Sequence, residues 1–99
     1  MRITKLMLQF KIDYLNKIMN VSIARYKPYK IDNRYISNIG HYYYSKSLNG
    51  YRLEKIVNTS GGCTDISLLG SKSEIYNVVK SMIQGIEEYS YKQFGYMKK

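Results

Sequence analysis

An α+β fold is predicted for this chain, a three-stranded antiparallel meander packed with an N-terminal and a C-terminal helix in the order α-β-β-β-α. Three observations predict it. Apolar residues recur at helical spacing near both ends, a run of strand-forming residues broken by Gly- and Asn-rich turns lies between them, and a capping signal marks where the last helix begins. At 99 residues the chain fits one domain, 1–99. A domain of that size buries only about two thirds of its unfolded surface, so its stability is modest or shared with a partner or a second copy.

The first helix is expected over residues 2–20. Ile3, Leu6, Met7, Phe10, Tyr14, Ile18 and Val21 step by three and four along one stripe, while Lys5, Gln9, Asp13, Asn16 and Lys17 fall largely elsewhere on the wheel. Leu8, Ile12 and Leu15 widen the apolar face enough to pack on a sheet on one side and touch a partner on another. Packing on the sheet is preferred to lying on a membrane surface. Residues 24–40 hold the only proline, Pro28, no sustained period, and the turn signal Asp32-Asn33, and so read as an ordered loop or short extended pieces.

Strands follow at about 41–48, 51–58 and 63–69. "HYYYSKSL" suits a pleated surface, and Asn49-Gly50 is the dipeptide that a type I′ turn wants. Alternation places Tyr42 and Tyr44 on one face and Tyr43 on the other, and puts Tyr51, Leu53 and Val57 together. Thr59 to Gly62 makes a second turn, after which Ile66 and Leu68 are the inward candidates of the third strand. The second helix, about 72–90, opens with Ser71 and Glu74, a capping box, and carries Ile75, Val78, Val79, Met82, Ile83 and Ile86 on one stripe. Fraying is expected after about Tyr91.

The composition is 44% hydrophobic and 23% charged, which supports a core and excludes a disordered tail. The net charge of +9 is uneven. Met1 to Arg52 holds ten Lys and Arg against two acids, a balance of +8, and Leu53 to Lys99 holds six against five, a balance of +1. A field this lopsided favours polyanions, whether RNA, DNA or an acidic protein surface. The single Cys63 excludes an internal disulfide and fits a reducing cytoplasm. The charges that interrupt the N-terminal apolar residues exclude a signal peptide and a membrane span, and no membrane partner is expected.

Catalytic constellations are thin. His41 is the only histidine, and with Cys63 it could form a nucleophile–base pair only if the fold brought them together. One His and one Cys give no zinc spacing, so neither a metal nor a cofactor is expected, and the chain reads as a non-enzyme. Gly70-Ser71-Lys72-Ser73 opens a helix and could meet an anion, but it lacks P-loop spacing.

The strongest functional signal is the interleaving of seven tyrosines with six cations between Arg25 and Arg52, against the single acid Asp32. Bases stack on such rings while cations meet phosphate, and the same composition makes a good protein-binding surface. The candidate partner- or nucleic-acid-binding residues are Arg25, Lys27, Lys30, Arg34, Tyr43, Lys46 and Arg52.

Two resemblances bear on this. The element order and "SKSEIYNVV" resemble a double-stranded-RNA-binding domain, although Glu74, Ile75, Tyr76, Val78 and Val79 stand where that family has lysines and small alanines. "GYRLEKIVNTSGGCTDI" followed by "GSKSEIYNVVKSMIQGI" resembles the small phage and prophage proteins of low-GC Gram-positive bacteria, among which anti-CRISPR and other anti-defence inhibitors are found. That resemblance implies a non-catalytic inhibitor in the cytoplasm of a bacterial host, acting on a host defence protein complex or its nucleic acid. A stand-alone nucleic-acid-binding module with a regulatory role is the alternative, and a homodimer is compatible with either.

Overall fold

Side-chain packing forms the core beneath two helices, and one buried asparagine fixes the start of the sheet's edge strand. The computed structural model describes residues 2–95, with side chains through residue 89. Its elements are α1 (Lys5–Ile18), β1 (Tyr26–Ile31), β2 (Arg34–Ser37), β3 (Tyr42–Ser47), β4 (Gly50–Ile56), β5 (Cys63–Asp65) and α2 (Lys72–Gly95). Strands β3, β4 and β5 form the expected antiparallel meander, and α1 and α2 lie together on one face of it. The α+β order is therefore present, with one addition. The segment 24–40, expected as an ordered loop or short extended pieces, folds back on itself as a separate two-stranded ribbon, β1–β2.

Helix α1 starts where Thr4 caps it, its hydroxyl accepting from the Met7 N–H at 3.1 Å. Its orientation differs from the expected one. Leu8, Ile12 and Leu15 are buried in the core, whereas Leu6 (61% exposed), Phe10 (63%) and Tyr14 face outward. The sequence carries two apolar stripes on roughly opposite sides of this helix, and the sheet takes the one that also contains Asn16. That residue, assigned above to the polar side, is fully buried. Its amide clamps the start of β3, Nδ2 donating to the Tyr42 carbonyl at 2.9 Å and Oδ1 accepting from the Tyr42 N–H at 2.7 Å. β3 is an edge strand, so without this side chain two buried backbone groups would lack partners.

Pairing runs Tyr42↔Lys55, Tyr44↔Leu53, Lys46↔Tyr51 and Ser47↔Gly50. The reversing loop is thus Leu48-Asn49, one residue earlier than the Asn49-Gly50 turn expected. Gly50 has φ 138° and lies so close to Gly70 that a Cβ would stand 2.8 Å from the Gly70 carbonyl, which is why a glycine is needed there. The turn in which two consecutive residues take positive φ is Asp32-Asn33 (52° and 59°), at the tip of the ribbon.

β5 is shorter than expected. It pairs with β4 from Ile56↔Cys63 to Glu54↔Asp65, and the chain next pairs at Tyr51↔Gly70, leaving two more residues on its side than on β4. Residues 66–69 bulge outward as a result. Ile66 still packs on the core, but Leu68 is 89% exposed rather than inward, and Val57, beyond the end of β4, is exposed as well.

α2 follows its prediction most closely. Glu74 N–H donates to Ser71 Oγ at 3.2 Å, and Ser71 N–H donates to Glu74 Oε1 at 3.0 Å, closing the capping box. Ile75, Val79 and Ile83 are buried against Leu53, Tyr42 and Tyr51, with Val78, Met82 and Ile86 alongside. The helix continues past the expected end near residue 90 to Gly95; residues 96–99, expected to fray, lie outside the described residues.

Candidate functional site: a basic aromatic ribbon and the sheet face at its base

Strands β1 and β2 join through the Asp32-Asn33 turn, with Ile31↔Arg34 and Lys30↔Tyr35 paired next to it. The register then slips before Tyr26↔Ser37, and Pro28, which has no N–H for a ladder, sits in that irregular stretch. The ties to the rest of the fold gather at the base. Ser37 N–H donates to the Thr59 carbonyl at 3.1 Å, and Asn38 holds the other strand through its N–H to the Arg25 carbonyl and its Nδ2 to the Ala24 carbonyl, both 2.9 Å. Beyond this base the ribbon is exposed on both faces, with Lys27 and Ile36 half-buried.

Alternation along β3 turns Tyr43 away from the helices, onto the open sheet face with Arg52 and Glu54. From there a single line of rings and cations passes onto the ribbon. His41 stacks parallel to Tyr43 (centroids 6.2 Å apart, planes 11° apart), and the Arg25 guanidinium lies 4.5 Å from the Tyr43 ring centre and 5.6 Å from that of Tyr26. Tyr26 meets Tyr35 at 5.2 Å, and Lys30 Nζ caps Tyr35 at 4.4 Å. Each cation sits over the electron-rich face of a ring, the favourable cation–π arrangement.

Of the seven residues predicted from the sequence, Arg25, Lys30 and Tyr43 belong to this line. Arg34 pairs with Ile31, on the ribbon face opposite Lys30 and Tyr35, and Lys27 lies in the irregular stretch of β1. The other two are placed apart from the column. Lys46 shares the helix-side face with Tyr51, its Nζ 5.9 Å from that ring, and Arg52 is paired with Asp65 at 3.4 Å, with its Nε buried and unpartnered. Arg52 is held against the sheet and its charge is already answered.

His41, Tyr26 and Tyr35 are members of the line that the seven candidates did not include. A cue for His41 lay in its i, i+2 spacing from Tyr43. His41 is buried, 5% exposed, and its Nδ1 lies 2.9 Å from the Ser22 carbonyl. A carbonyl only accepts, so Nδ1 carries the proton.

His41 and Cys63 are not assembled into a nucleophile–base pair. Ile56 N–H donates to the His41 carbonyl, and Ile56 is also the partner of Cys63, so the two residues stand on opposite sides of β4. Two strand spacings put them roughly 10 Å apart, beyond hydrogen-bond reach. Cys63 is exposed and meets Glu54 and Tyr43 instead. Burial, hydrogen bonding with Cys63 and Glu54, and the Glu54 charge all push the Tyr43 hydroxyl far above the usual phenol range, so it stays protonated. The start of α2 offers no anion site, since the Glu74 carboxylate occupies it, its pKa lowered by the bonds to Ser71. Among the described residues no group of three or more His, Cys, Asp or Glu could hold a metal ion, and no helix is long and apolar enough to cross a membrane.

The fold and this surface together define a small α+β protein with a projecting basic, aromatic β-ribbon. No protein-family model, curated protein or solved structure matches the chain.

Proposed function

We propose that this chain is a non-catalytic binding protein whose working surface is the ribbon and the sheet face at its base, and that it inhibits a host defence complex in the manner of a phage anti-defence protein. The observation that carries the binding role is the ribbon itself. Four cations, Arg25, Lys27, Lys30 and Arg34, and three exposed tyrosines, Tyr26, Tyr29 and Tyr35, stand on a two-stranded projection where Asp32 is the lone acid. A hairpin exposed on both faces adds little to folding, so these residues are better explained by a partner than by a core. The sequence resemblance supplies the anti-defence part, the partner being an acidic protein surface of such a complex or the nucleic acid it holds.

A stand-alone nucleic-acid-binding module is the second reading, and the ribbon's exposed rings beside cations favour it, because bases stack on such rings while the cations meet phosphate. Capture from a bacterial host lysate with tagged protein, at two salt concentrations and with and without nuclease, separates the two. A discrete, nuclease-resistant protein complex, lost when Arg25, Lys30 and Arg34 are replaced by glutamine, supports the inhibitor. Heterogeneous nucleic acid, lost on nuclease treatment and at higher salt, supports the module. Capture that survives the three substitutions overturns the ribbon as the working surface.

A further inference from the structure

We infer that the line of rings and cations running from His41 to Lys30 is a stacking site for a single nucleic-acid strand. The inference rests on the ribbon being the working surface and goes beyond it by naming the ligand chemistry. An acidic protein surface would satisfy the cations with carboxylates and could pack side chains on the rings, but it presents no flat aromatic face tied to each anionic group. A duplex presents phosphates and groove edges, with its base faces hidden in the stack. A single strand presents a base face and a phosphate at every step, and the column carries both matching groups, two rings to each cation in the order His41, Tyr43, Arg25, Tyr26, Tyr35, Lys30.

The column is built in the right order for this. Tyr26 (43% exposed) and Tyr35 (62%) keep ring surface open to solvent although they touch each other. Arg25 and Lys30 bracket that pair, the guanidinium between Tyr26 and Tyr43 and the ammonium over Tyr35. A base stacked against the exposed part of either ring therefore has a cation beside it for its phosphate, Arg25 at Tyr26 and Lys30 at Tyr35. At the inner end the column is anchored, because Tyr43 is half-buried opposite Glu54 in the sheet and backed by buried His41, whose Nδ1 donates to the Ser22 carbonyl. Such anchoring fixes the platform before a strand arrives and reduces the ordering that binding requires. Both charges of the column itself, Arg25 and Lys30, are positive; at its inner end Asp65 is paired with Arg52, while Glu54 keeps its negative charge beside the neutral Tyr43 and leaves phosphate binding to the ribbon end.

The test is fluorescence anisotropy with a labelled oligo-dT of about 12 nucleotides, a duplex of the same length and a heparin oligosaccharide, which has charge but no bases. The wild type is compared with Tyr35→Leu, with Tyr26→Leu, and with Arg25→Gln combined with Lys30→Gln, each checked for an unchanged thermal midpoint. The single strand should bind at least about tenfold tighter than the duplex, and each tyrosine substitution should weaken it about tenfold while leaving heparin binding unchanged. The double glutamine variant should weaken all three and reduce the salt slope.

If the tyrosine variants bind the strand as the wild type does, or if strand, duplex and heparin bind alike, the stacking site is overturned while a purely electrostatic ribbon survives. If none of the three binds and the lysate yields a protein complex that needs Arg25 and Lys30, the partner is an acidic protein surface and the inference fails while the proposed function stands. If ribbon substitutions change no interaction of any kind, both fail together.

Discussion

Tyrosine and lysine build both the helix-backed sheet and the ribbon at its edge, and the two regions put them to opposite uses. On the sheet, Tyr42 (5% exposed) and Tyr51 (7%) are buried beneath α1 and α2, with Lys55 and Lys46 laid over their rings. On the ribbon, Tyr35 lies under Lys30 with the same pairing geometry but remains open to water. The local chemistry is the same; only the sheet has a second layer. An aromatic–cation pair thus becomes core or contact surface according to whether an amphipathic helix covers it, not according to its own sequence.

The comparison breaks most visibly if the two regions share one stability. Leu53→Ala, under both helices at the centre of the sheet, should destabilise by about 3–4 kcal/mol, whereas Tyr35→Ala on the ribbon should change stability by no more than about 0.5 kcal/mol. Urea unfolding of the two variants measures this. A Tyr35 loss as large as that of Leu53 would show that the ribbon belongs to the cooperative core and would remove the main argument for its being a contact surface.

A smaller effect is expected where the two apolar faces of α1 were hard to tell apart. Asn16→Leu keeps the volume and adds apolar surface, so hydrophobicity alone expects it to be neutral. Leaving the buried N–H and carbonyl of Tyr42 without partners should instead destabilise by about 2–3 kcal/mol. The same urea titration decides, and a variant as stable as the wild type would mean that the start of β3 finds other partners.

These two positions also show what could and could not be read in advance. The inward faces of β3, β4 and α2 were legible, because Tyr42, Tyr44, Leu53, Ile75, Val79 and Ile83 follow periods of two or 3.6 that only one burial pattern satisfies. The facing of α1 was not, because Leu6, Phe10 and Tyr14 compete with Leu8, Ile12 and Leu15, and the polar residue that decides between them acts through a distant backbone. The pairing of the ribbon was not legible for a different reason. A hairpin with no covered face has no in–out alternation to display, so its tyrosines and cations showed in composition while its pairing did not. Within the site, the interleaving located Arg25, Lys30 and Tyr43, but it could not show that β5 supplies an acid for Arg52.

The ribbon's turn sharpens the contrast at lower energy. Asn33 holds φ at 59°, a conformation that a β-branched residue resists. Asn33→Val should weaken the ribbon by about 1–2 kcal/mol and leave the sheet untouched, and Asn33→Gly should preserve it. Amide hydrogen exchange should report faster exchange at the paired N–H groups of β1 and β2 in the valine variant, with protection in β4 and α2 unaltered. Protection lost across both regions would mean that the ribbon and the sheet unfold as one unit.

The smallest effect lies at the start of α2 and is a matter of pH. Bonds from the Ser71 N–H and hydroxyl lower the Glu74 pKa below its unfolded value of about 4.3, so the charged form stabilises the fold fully above that value. That contribution is lost as pH falls through the still lower pKa of the folded state. Glu74→Gln keeps an oxygen for the Ser71 N–H but has no charge for the helix dipole, so it should melt slightly below the wild type at pH 7. The gap should narrow at acid pH, once Glu74 is protonated in both the folded and unfolded wild type. Thermal midpoints of both proteins between pH 7 and pH 3 test this, and a gap independent of pH would locate the capping energy in hydrogen-bond geometry and not in charge. The ribbon provides the control. Its lone acid, Asp32, sits in an exposed turn with no cap to form, so strand binding by Glu74→Gln should match the wild type at every pH where both are folded.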